Sequence, residues 1–109
     1  MSWQIDIYNL EFIDKILKKV LLDKESVFGT GLLTSLFRIG DSGVHGTLPL
    51  RAVDERCRDK AVGDRVAGYI NERWVYDPDR PQMQVCAYHD AGGGWHLHYQ
   101  VHPKTVRRK

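Results

Sequence analysis

Two alternating runs, Met83 to Asp90 ("MQVCAYHD") and Trp95 to His102 ("WHLHYQVH"), flank the short segment "AGGG". On a strand, successive side chains point to opposite faces, so each run can bury one face and wet the other. Glycines between two such runs predict a hairpin or a flexible loop joining antiparallel strands. In the second run Leu97, Tyr99 and Val101 then share one face, and His96, His98 and Gln100 share the opposite one. A pair of strands this short is not stable alone. The rest of the chain must supply more strands, helices to cover the apolar face, or both.

Helical periodicity provides the cover. From about Asn9 to Leu22, the residues Leu10, Ile13, Ile16, Leu17, Val20 and Leu21 fall on one stripe opposite Asp14, Lys15, Lys18 and Lys19. This predicts an amphipathic helix over about 9–22, with Asn9 as its N-cap. A second stripe of Val62, Val66, Tyr69, Ile70 and Trp74 predicts a helix from about Lys60 to Trp74. The prolines of "DPDRPQ" follow it. Between the helices, "LLTSLFRI" reads as a strand from Leu32 to Ile39, "GDSGVHGTLPL" as a loop, and "RAVDERC" as a short strand through Asp54. The order predicts α+β architecture, a small antiparallel sheet with helices packed on one face.

The 109 residues suffice for one hydrophobic core, so a single domain spanning 1–109 is expected. At 42% hydrophobic and 28% charged, the composition is that of a soluble globular protein. No apolar stretch approaches the length that spans a bilayer, and the N-terminus, acidic and without a cationic leader, does not read as a secretory signal. A net charge of +2 is too small to argue for nucleic acid or a membrane surface. Much of the positive charge sits in the tail at 103–109, "PKTVRRK", which is expected to be a frayed, solubilising end. A nucleic-acid platform of that tail with Trp95 or Tyr99 is disfavoured. Cys57 and Cys86 are too far apart for a paired metal motif and are expected to be reduced and buried, with a disulfide open only in an oxidising compartment.

The chemistry-bearing residues gather near the second strand of the hairpin. Four of the five histidines lie between His89 and His102, and the fifth, His45, sits in the glycine-rich loop. Catalytic zinc takes three protein ligands, imidazole nitrogens or carboxylate oxygens, and leaves a fourth position to water. His45, Asp54 and His98 can supply such a set. Asp54 closes an apolar alternation, where a carboxylate needs a partner, and Arg51, Arg56 or Arg58 would serve as well as a metal. Taken alone, the histidine face is better read as a solvated one.

"TSLFRIGDSGVHGTLPLRAVD", followed at a distance by "HLH", resembles the active-site pattern of the M15-type zinc D-Ala-D-Ala carboxypeptidases, peptidoglycan metallopeptidases that share a fold with the Hedgehog signalling domain. Thr34, Ser35 and Arg38 match a "TSGYR"-like strand end; Ser42, His45, Arg51, Ala52 and Asp54 match the "SxHxxGxAxD" loop and strand; His96 and His98 match the later HxH. The resemblance covers roughly residues 32–102. It implies zinc held by His45, Asp54 and His98, a base or transition-state donor in His96, and in Arg38 a cation for a substrate carboxylate or developing oxyanion. The implied function is a zinc-dependent peptidase or amidase on peptidoglycan stem peptides, with a phage as one candidate source. Eight residues separate His45 from Asp54, two more than in the family's usual loop, and Trp95 stands where many members carry an acid. The alternative is a non-catalytic binding or structural module that keeps the metallopeptidase fold.

Overall fold

The computed structural model describes residues 14–29, 31–35, 51–90 and 94–108. The first described element is helix α1 (Lys15–Phe28). Its N-cap is Asp14, whose carboxylate accepts from the backbone N–H groups of Ile16 at 2.7 Å and Leu17 at 3.3 Å. These are two of the donors that a helix start leaves without an internal partner. The expected cap, Asn9, lies outside the described residues. The helix also runs six residues past Leu22, to a C-cap at Gly29 with φ of 81°. A left-handed φ suits glycine and ends the helix there.

Strand β1 (Leu32–Ser35) follows, then β2 (Ala52–Arg56), which runs two residues beyond the expected end at Asp54. Residues 36–39 of the expected first strand lie outside the described residues. Helix α2 (Lys60–Arg73) is capped by Asp59, which accepts from Ala61 and Val62. The two-residue β3 (Trp74–Val75) continues directly from it. Strands β4 (Cys86–Asp90) and β5 (Trp95–Gln100) form the antiparallel pair expected from their alternation. The main sheet has the order β1-β2-β5-β4 with every neighbour antiparallel, so β2 and β5 are its central strands.

The core lies between the helices and one face of this sheet. Leu17, Val20 and Leu21 of α1 and Val66 and Ile70 of α2 are fully buried with Val53, Leu97, Tyr99 and Val101. Complete burial of one such aliphatic side chain contributes about 1.5–3 kcal/mol. A buried ion pair enters this core. Glu55, 2% exposed, receives Lys24 Nζ at 2.7 Å and the Tyr99 hydroxyl at 2.5 Å. Asp23 binds α1 to the end of α2, accepting from the Tyr69 hydroxyl, Arg73 Nε and Trp74 Nε1. Asn71 of α2 both donates to the Cys86 carbonyl and accepts from the Cys86 N–H, which docks the helix on β4.

The C-terminal segment departs from the expectation of a frayed tail. Val106–Arg107 form strand β6, paired with β3. Thr105 is buried, its hydroxyl donating to the Tyr76 carbonyl at 2.7 Å and accepting from His102 N–H. Charge in "VRRK" misled because the anchoring atoms are a threonine hydroxyl and backbone groups, including Arg108 N–H to the Arg73 carbonyl. Both cysteines are free thiols, Cys86 buried and Cys57 partly so. Burial pushes the Cys86 thiol well up, which keeps it protonated.

Candidate functional site

The second face of the sheet carries the site. Asp54 sits at the middle of β2 and pairs in register with His98 on β5; His96 pairs with Arg56 on one side and His89 of β4 on the other. Paired residues on neighbouring strands point the same way, so alternation alone sends Asp54, His89, His96, His98 and Gln100 to the face opposite Val53, Leu97 and Tyr99. The carboxylate and the two imidazoles of the HxH pair are 14–20% exposed, sheltered but reachable.

His98 Nδ1 lies 2.8 Å from Asp54 Oδ1, and His96 Nε2 lies 4.0 Å from the same oxygen. The other nitrogen of each ring faces a defined group. His96 Nδ1 is 3.1 Å from the Gly94 carbonyl, which can only accept. The proton of a neutral His96 ring is therefore assigned to Nδ1, and Nε2 presents a lone pair on the Asp54 side. His98 Nε2 is 3.2 Å from Gln100 Oε1. The amide group of Gln100 is oriented in turn by its Nε2, which donates to the Gln84 carbonyl at 2.9 Å.

His89 completes the cluster, its ring 4.7 Å from that of His96 in an edge-on arrangement and 6.0 Å from that of His98. Partial desolvation, and then the neighbouring His96 and His98, lower its pKa from the ordinary histidine value, while Asp54 and Asp90 pull the other way. Three imidazoles and one carboxylate thus share this face of the sheet.

A carboxylate oxygen and an imidazole nitrogen are donor types that zinc takes. Two ligand atoms about 2.0–2.2 Å from a tetrahedral zinc stand roughly 3.3–3.5 Å apart. The Asp54–His98 contact reaches that spacing by opening about half an ångström. Among the described residues, no three histidine, cysteine or acidic side chains are arranged to hold one ion. Asp54 and His98 could serve as two ligands of an ion only if a third came from another part of the chain.

Of the residues expected from sequence, Asp54, His96 and His98 are brought together. His45 and Arg38 lie outside the described residues. Arg56, one alternative partner for Asp54, is exposed on β2 opposite His96. Gln100 was visible as a member of the histidine face, but its role was not: the Gln84 carbonyl that orients it belongs to the approach to β4, and only strand register brings the two together. No match to the chain was found among protein-family models, curated proteins or solved structures.

Proposed function

We propose that this chain is a zinc-dependent peptidase or amidase acting on peptidoglycan peptides, with a Hedgehog/DD-peptidase-like arrangement of its sheet. The observation that carries this reading is the Asp54 Oδ1–His98 Nδ1 pair, held across two central strands with His96 alongside. The pattern "SGVHGTLPLRAVD…HLH" supports it from the sequence side by supplying His45 as the third ligand. When bound, zinc would acidify a water and polarise the scissile carbonyl.

The chain's own residues do the rest. Asp54 and His98 contribute one anionic and one neutral donor, and His45 a second neutral donor. His96, its Nδ1 proton anchored on the Gly94 carbonyl, offers Nε2 to take a proton from the attacking water and pass it to the leaving amine. Arg38 binds a substrate carboxylate or the negative charge growing on the carbonyl oxygen.

The test is incubation of the pure protein with purified peptidoglycan, with added zinc and with a chelator, reading released peptides by mass spectrometry. Metal-dependent cleavage is expected, reduced at least about 100-fold in Asp54→Ala, since loss of a ligand removes the site rather than weakening it. Absence of cleavage by the zinc-loaded wild type overturns the enzyme reading. If zinc is nevertheless bound tightly, the binding module that keeps the metallopeptidase fold takes its place.

A further inference from the structure

We infer that Gln100 is a positioning residue for the site: it accepts a hydrogen bond from His98 Nε2 and so holds His98 Nδ1 towards Asp54 as the coordinating atom. The chain of constraint starts at a backbone group. The Gln84 carbonyl can only accept, so the end of the Gln100 amide that meets it at 2.9 Å is the NH2 group. The other end, Oε1, is then an acceptor 3.2 Å from His98 Nε2, which has to be the N–H of the ring. In a neutral imidazole this leaves Nδ1 with a lone pair, and Nδ1 is the atom 2.8 Å from Asp54 Oδ1.

At that distance from a carboxylate oxygen, Nδ1 is bridged by a positive charge, the proton of an imidazolium when no metal is bound or a cation that takes the proton's place. A metal ion supplies that charge, with the second ring nitrogen anchored on an acceptor as is usual for metal-bound histidine. Gln100 therefore prepares His98 for a cation before the cation arrives. Strand geometry makes this possible, because residues 98 and 100 are two apart on one face, and the backbone N–H of Gln100 donating to the Val85 carbonyl keeps the strand in register with Gln84. The inference rests on the zinc reading for its consequence, but the hydrogen bond it names is independent of metal.

Two measurements on the intact chain test it. Competition between the protein and a chromophoric chelator for zinc alone should show about 10- to 100-fold weaker binding in Gln100→Leu, the usual effect of removing such an outer partner. Gln100→Glu keeps an acceptor for His98 Nε2 but cannot donate to Gln84, and should recover most of that loss. If the glutamine served only to clamp the two strands, Gln100→Glu would be as damaging as Gln100→Leu, and the inference fails.

The second measurement is long-range 15N correlation NMR of the zinc-loaded wild type. It should place the His98 proton on Nε2, and Gln100→Leu should lose that preference. A His98 proton on Nδ1 in the zinc-loaded wild type overturns the positioning role. Failure of the wild type to bind zinc in the competition experiment sinks the zinc reading instead, and with it the consequence drawn for Gln100.

Discussion

Glu55 shows how one side chain can escape a sequence reading. It follows Asp54 on β2, so alternation turns it to the apolar face, where a carboxylate was not expected. Its burial is tolerated because Lys24 and Tyr99 both reach it, and the Tyr99 hydroxyl is held well above its ordinary pKa by burial and then by the Glu55 charge. Lys24 itself lies beyond the stretch of α1 that periodicity marked, and its ammonium also donates to the Gly29 carbonyl. Removing the cation alone leaves a buried anion. Lys24→Met should destabilise the fold by about 3–5 kcal/mol, read as a fall in the urea midpoint. The double variant Lys24→Met with Glu55→Gln should be clearly less destabilised than the sum of the two single changes, since the uncompensated charge is gone. Asp54, one residue earlier, was legible because the same alternation that buries Glu55 turns Asp54 to the histidines.

In α2, two glycines of the same helix should answer a substitution with opposite signs. Gly63 is buried where the ring of Tyr88 lies against its backbone, and an added Cβ would collide with ring carbons. The Tyr88 hydroxyl donates to the Cys57 carbonyl and the ring stacks on Trp95 at 5.1 Å, so the ring has little room to retreat. Gly68 has open space where its Cβ would stand. Gly63→Ala should therefore destabilise by about 1–3 kcal/mol through overpacking, while Gly68→Ala should stabilise by about 0.5–1 kcal/mol through helix propensity. Thermal unfolding of both variants decides it; equal shifts would contradict the packing of Tyr88 against α2. Periodicity predicted this helix closely because its caps and stripe are local. For α1 the same method put the ends too early, since the stop comes from the backbone conformation at Gly29 and the cap from Asp14, a residue that periodicity assigned to the solvent side.

The molecule as a whole is closed at one corner by the β3–β6 pair and the turn that follows β3. Asp77 organises that turn: nearly inaccessible, it accepts from the Asp79 N–H at 2.9 Å and from Arg80 Nε at 3.0 Å. The Asp79 hydrogen bond, then Arg80 and Lys104, hold its pKa below the ordinary carboxylate value despite burial. A carboxyl depressed in the folded state contributes stability above the unfolded pKa of about 3.9, and the contribution is lost as the pH falls through the folded value. Asp77→Asn should melt below the wild type near neutral pH, and the gap should narrow as the pH falls below about 4. A gap independent of pH would mean that the charge on Asp77 does not hold this corner.

The local pattern of this chain was enough to determine two amphipathic helices, the antiparallel β4–β5 pair, the α+β class, and a face carrying His96, His98 and Gln100. Each depends on spacing within a few residues, which backbone geometry converts directly into a direction. Only tertiary structure decided that Asp54 meets His98, that Glu55 is neutralised inside the core, and that the basic C-terminal segment is pinned by Thr105 as a strand. Those contacts join residues 29 to 44 positions apart, and at such separations the choice among partners is made by strand register and packing against the rest of the fold.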